Sequence, residues 1–217
     1  MEAVSSEFDL VLRAFWLTLQ LFVLSGLASL ALGTALGALR VCPVSVLRRA
    51  AAFYVGAVRN TPLLIVFVFV FIAAPTLGWF IGTPFLLKGV FALSLYTAAF
   101  VCEALRSGIN AVPLGQAEAS RAIGMTFTQS MREVVLPQAF RAVVPPLASV
   151  LIALAKNTSV AAAFGLLEAT ARMDYFTNRN ADQRMQIFLV FALGYIILVE
   201  VVSAGAGTLE RRWRVAR

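Results

Sequence analysis

Long apolar runs separated by clusters of arginine set the limits on what this chain can fold into. Leu10 to Leu39 is interrupted only by Arg13, and Met185 to Leu209 only by Glu200. Phe85 to Leu105 is nearly as pure. Each run is long enough to cross a hydrocarbon layer of about 30 Å as a helix rising about 1.5 Å per residue. Inside that layer a backbone must satisfy its own hydrogen bonds, which makes helices of such runs. Composition agrees: 60% of the 217 residues are hydrophobic and 13% are charged, where a soluble domain carries about 25% charge. The chain is therefore expected to be an all-α integral membrane protein, a single domain over residues 1–217 with five transmembrane helices. The N-terminus MEAVSSEFDL lacks the basic region of a cleaved signal, so the first span is expected to stay.

Between these blocks the chain punctuates itself. Ser25, Ser29, Gly33 and Gly37 recur every fourth residue in the first run, a small-residue stripe suited either to a subunit boundary or to packing within the chain. Arg40 to Arg59 reads as a basic turn and then a helix at or entering the interface. Thr61 is placed to cap the next helix, with Pro62 at its first position. That second span is long enough if counted from Ala50 and short if counted from Thr61. Pro75, Gly78, Gly82 and Pro84 mark a turn, with Trp79 an interfacial anchor. Glu103 and Arg106 are one helical turn apart, so they are spaced either for an ion pair or for a solvated helix end. Cys42 and Cys102 are not expected to form a disulfide. A fourth span follows Arg141, with Pro145 and Pro146 near its start. The polar segment Glu168 to Gln183 is expected to leave the membrane.

The net charge of +7 does not point to nucleic acid, because the basic residues sit at the ends of apolar blocks. Five spans with the N-terminus outside put twelve arginines inside, including Arg211, Arg212, Arg214 and Arg217. Only Arg13, Lys88, Arg172, Arg179 and Arg184 are then outside, which matches the positive-inside bias. Lys156 and Glu200 fall well within the membrane at comparable depth on neighbouring spans, a costly position for a charge. Lys156, followed by Asn157, Thr158 and Ser159, is a candidate for the substrate path, and a structural charge pair of Lys156 with Glu200 is the alternative.

Several chemistries are excluded. There is no histidine, which rules out His-based triads and HExxH metal sites. Neither Lys88 nor Lys156 stands in a phosphate-binding GxxxxGK[ST] loop, so ATP hydrolysis by that route is absent. Metal and catalytic residues are assigned to none.

One polar segment interrupts the apolar pattern, Pro113 to Pro137, PLGQAEASRAIGMTFTQSMREVVLP. It reads as two short helices. Gly115 opens the first and Gly124 stands where a helix end needs positive φ. Thr126 and Gln129 form a capping box for the second, which Pro137 is expected to stop. Glu118, Ala119, Ser120, three residues, Gly124, nine residues and then Val134, Val135, Leu136, Pro137 resembles the EAA loop of ABC-transporter permeases, with Ser120 and Val134 replacing Ala and Ile.

The resemblance extends through RVCPVSVLRR, AVRNTPLL, FVCEALRSGINAVPLGQAEASRAIG, LPQAFRAVVPPL and LIALAKNTS. These segments are similar to polar amino-acid uptake permeases of the ABC class, most of all to actinobacterial glutamate permease subunits. Asn60 and the pair Ala148, Ser149 depart from the usual pattern. The resemblance implies a MetI-like ABC importer permease fold in the bacterial plasma membrane, with the C-terminus cytoplasmic. It implies that Gln116, Ala117, Glu118, Ala119, Ser120 and Gly124 couple to a separate ABC ATPase subunit dimer. ATP and magnesium would be used there, with no cofactor on this chain. It further implies a second permease subunit, either a related chain or a second copy. An extracytoplasmic solute-binding protein would dock near Arg172 to Asp182. Rival readings are an ion-driven transporter or channel relaying charge through Glu103, Lys156 and Glu200, and a membrane subunit without transport.

Overall fold

The computed structural model describes residues 6–213, and side chains as far as residue 208. The N-terminal residues 1–5 and the side chains of Arg211, Arg212, Arg214 and Arg217, which count toward the topology above, lie outside the described set. Among the described residues there are helices and turns and no strand.

Helix α1 (Phe8–Val41) and helix α4 (Phe85–Asn110) pack side by side. They run parallel: Leu21 lies against Gly89, Gly33 against Val101, and Arg40 reaches Glu103. A Cβ at Gly33 would stand 2.6 Å from Val101 and 2.8 Å from the Ala98 carbonyl, so only glycine allows this approach. Ser25, Ser29 and Gly33 are all buried here. The small-residue stripe is thus a contact within the chain.

Because α1 and α4 are parallel, the chain between them must return across the bundle. It does so in two pieces, α2 (Ser45–Arg59) and α3 (Leu63–Thr76), bent by 105° at residues 60–62. This settles the uncertain second span: it is one crossing made of two helices, neither of which spans alone. Helix α2 buries Ala51 and Val55, the latter against Ala99 and Cys102, near the arginine-rich end. Helix α3 packs Phe67 and Val70 with Leu21, Leu93 and Leu154 further along. Thr61 does not cap α3. Its hydroxyl donates to the Ala57 carbonyl and closes α2, while Pro62 takes the extended cap position. The turn 77–84 contains Gly78 and Gly82 at φ of +86° and +70°.

After the short α5 (Leu114–Ala122), helix α6 (Phe127–Phe164) returns antiparallel to α4, and Val143 fills the space over Gly108. Pro137 does not stop it. A wider π turn at Ser130–Val135 precedes the proline, which accommodates a residue lacking an N–H and crowding the carbonyl four back. The second helix of the polar loop and the fourth span are therefore one helix, which also runs through Pro145 and Pro146. Helix α7 (Ala169–Arg179) and helix α8 (Arg184–Trp213) complete the bundle. Phe15 stacks on Phe191 and crowds Gly194, locking the start of α1 to α8. Among the described residues four single helices are long and apolar enough to cross a membrane, and five when the bent pair is taken as one span.

Candidate coupling surface and translocation groove

Helix α5 is held in a tight corner. Beyond its last turn the Gly124 N–H donates to the Arg121 carbonyl at 2.9 Å and the Met125 N–H to the Ser120 carbonyl at 3.1 Å. This paired closure requires a left-handed residue, and Gly124 supplies it at φ +86°. Two residues later Thr126 and Gln129 form the reciprocal capping box that starts α6. The corner is pinned from inside by the Ser120 hydroxyl, which meets the Ser130 hydroxyl at 2.8 Å. Of the residues assigned to coupling, Ser120 is thus buried and serves the corner, and Ala117 is half-buried. Gln116, Glu118, Ala119 and Gly124 face outward.

Sequence reading missed the apolar component of this face. Leu114, Ile123 and Phe127 are 81%, 80% and 77% exposed around the polar helix. Large apolar side chains clustered this exposed are characteristic of interaction surfaces. Their positions flanking the α5 caps were the available signal.

Beside α5, Glu103 gathers three arginines. Arg40 approaches at 2.7 Å, Arg59 at 3.8 Å, and Arg106 donates through both Nε and a terminal nitrogen. Of the two readings of Glu103 and Arg106, the ion pair is the one present, and it is part of a larger cluster that ties α1, α2 and α4. Nothing in sequence spacing points to Arg40, which is 63 residues away. Cys42 and Cys102 are free thiols.

The polar quartet of α6 does not act as one surface. Asn157 opens into a groove of about 270 Å³ with Tyr96, Thr97, Phe100 and Ser149. Lys156 and Ser159 open into a second groove of about 420 Å³, shared with Tyr195 and Glu200. Thr158 lies between them, buried, its hydroxyl on the Ala155 carbonyl. Lys156 and Glu200 share the second groove without coming within the 4.0 Å of an ion pair.

At the opposite end of the bundle from α5 sits a carboxylate assigned above to a polar loop outside the membrane. Glu168 is completely buried within the protein. It caps α7, accepting from the Thr170 and Ala171 N–H groups at 2.9 and 3.1 Å. It also accepts from the Tyr195 hydroxyl at 2.7 Å and the Thr18 hydroxyl at 3.4 Å. Burial pushes its carboxyl above the ordinary range, against the opposing pull of these hydrogen bonds. The rest of the segment is polar: Asp174, Asn178, Arg179 and Asp182 are exposed. Among the described residues no cluster of His, Cys, Asp or Glu is arranged to hold a metal ion.

Comparison with known proteins places these features. Residues 15–215 match the family model described as binding-protein-dependent transport system inner membrane component. The chain is 41% identical to the glutamate transport system permease protein GluC of Corynebacterium efficiens, covering 95% of each chain. It is 33% identical to the probable glutamine ABC transporter permease protein GlnM of Bacillus subtilis, covering 95% of this chain and 94% of that one. Among solved structures, an amino acid ABC transporter with histidines superposes with a TM-score of 0.88 at 26% identity over 96% of both chains. The MetNI methionine ABC transporter in an inward-facing form has the same fold, with a TM-score of 0.75 at 22% identity over 96% of this chain and 98% of that one. The chain belongs to the family of binding-protein-dependent transport system inner membrane components, as a multi-pass permease of the ABC amino-acid importer type.

Proposed function

We propose that this chain is the permease subunit of an ATP-driven importer of glutamate, with α5 as the surface that couples it to a separate ATPase dimer. The observation that carries the coupling role is the α5 corner: a short helix closed at its end by Gly124 and followed by the α6 capping box, with exposed Glu118 and Ala119 ringed by Leu114, Ile123 and Phe127. The glutamate assignment rests on the GluC relatives. The arginine bias supports an α5 end that faces the cytoplasm, with the N-terminus outside. In this reading the chain binds no cofactor, and ATP and magnesium belong to the partner. A second permease subunit, a related chain or alternatively a second copy, completes the pore. The exposed polar side chains of the Arg172 to Asp182 segment receive the solute-binding protein.

The Lys156 groove is the proposed substrate path. Opposite charges that share a groove without pairing suit a zwitterion, whose carboxylate would meet Lys156 and whose ammonium would meet Glu200. The ion-driven relay is less well supported, because Glu103 is already held by three arginines.

The test is glutamate-dependent ATPase activity of the assembled transporter in vesicles, with and without Glu118→Lys. Stimulation by a glutamate-loaded binding protein, lost in the variant, is the expected result. Uptake that follows an ion gradient and ignores the substitution would overturn the reading.

A further inference from the structure

We propose that the α5 end of the bundle carries a binding site for an anionic phospholipid, its acyl chain in a crevice between α1, α4 and α6 and its phosphate on Arg106. The crevice has a volume of about 260 Å³ and is lined by Gly37, Leu105, Ile109, Leu136, Phe140 and Val143 among others. Among the described residues its lining is almost wholly apolar, and the only charged side chain on it is Arg106. It reaches Val41 and Asn110, the last residues of α1 and α4. That is the level at which spans give way to headgroups, so an occupant drawn from the bilayer enters with its polar end beside the arginine.

Charge selects the headgroup. Arg40, Arg59 and Arg106 share the single carboxylate of Glu103, leaving the cluster with a surplus of two positive charges. No other acidic residue occurs between Asp9 and Glu118. The Arg106 side chain is 42% exposed, so its guanidinium can serve Glu103 and still accept a phosphate. Helix α2 adds further exposed cationic charge, Arg48 and Arg49, with Arg48 donating to the Cys42 carbonyl just past the end of α1. An apolar slot under a cationic rim at a span end is the chemistry that holds acidic lipid headgroups. A zwitterionic lipid would bring its own cation against the arginines. The site is placed in the cytoplasmic leaflet by the orientation proposed above; its chemistry does not depend on the transported solute.

The test compares vesicle-derived phosphatidylglycerol with phosphatidylcholine on the purified, assembled transporter, read by retained lipid in native mass spectrometry and by thermal stability. Phosphatidylglycerol should be retained about tenfold more strongly, equivalent to about 1.4 kcal/mol. Gly37→Leu directs a side chain into the crevice, and its Cβ makes only an ordinary contact with Leu105 at 3.8 Å. It should abolish the preference while leaving the melting temperature without lipid near wild type. Arg106→Gln should reduce the preference even if Gly37→Leu folds poorly. Equal retention of both lipids, or a preference that survives in both variants, overturns the site. So does the absence of any retained lipid on the assembled transporter, which would make the partner subunit the occupant. Glu118→Lys should leave lipid retention unchanged while removing stimulated ATPase activity, which separates this proposal from the coupling role.

Discussion

The Tyr195 hydroxyl donates a hydrogen bond to the buried carboxylate of Glu168 at 2.7 Å, joining α8 to the first turn of α7. Thr18 of α1 reaches the same carboxylate, and its hydroxyl also accepts from the Ala169 N–H at 3.1 Å. Three helices therefore meet on one side chain. Replacing it by leucine strands several buried donors, each costing about 1–3 kcal/mol. Glu168→Leu should lower the melting temperature in detergent far more than Asp174→Leu on the exposed face of the same helix.

The same carboxyl gives a pH dependence. Burial raises its pKa in the folded protein, so the folded state holds the proton more tightly than the unfolded one. Its contribution is greatest below the unfolded value of about 4.3 and falls as pH rises from there through the folded value. In Glu168→Gln that slope should vanish. Melting curves of both proteins across the acid range check this, and parallel curves would exclude it.

Gly124 can be tested on backbone grounds alone, because nothing lies within 4 Å of where its Cβ would stand. Only the positive φ is at stake. Asparagine tolerates that region and valine does not. Gly124→Asn should keep most glutamate uptake in vesicles, and Gly124→Val should lose it with the chain still inserted.

Glycines at helix crossings should behave oppositely to those in open positions. A Cβ at Gly108 would stand 2.9 Å from the Val143 backbone nitrogen, which has no side-chain freedom to yield. Gly108→Val should therefore block assembly. Gly56 in α2 has nothing within 4 Å, so Gly56→Ala should be neutral or stabilising by up to about 1 kcal/mol. Expression yield and thermal stability distinguish the pair.

Lys156→Met should abolish transport while leaving insertion and basal ATPase activity intact. Failure to assemble would instead assign Lys156 a structural role with Glu200.

The spans were legible because lipid demands long apolar helices and leaves arginine only at their ends. The polar corner was legible too: Gly124 and the Thr126–Gln129 box act within a few residues, where chain chemistry alone decides geometry. The reading that Pro137 ends a helix failed for a local reason, since a π turn can supply the room a proline needs. The burial of Lys88, counted above only as an outside charge, was not legible in the sequence. The lysine lies at the start of α4 with its ammonium over the rings of Phe71 and Phe85, and is buried.

What the sequence by itself determined were the long apolar helices and the α5 corner, governed by interactions between near neighbours in the chain. Only the tertiary structure decided which charges meet. Arg40 joins Glu103 because α1 and α4 run parallel, and Glu168 is buried because Thr18 and Tyr195 arrive from helices on either side. It also decided that Lys156 and Asn157, adjacent in the chain, open into different grooves. Successive residues on a helix point about 100° apart, and the neighbouring helices determine what each of them faces.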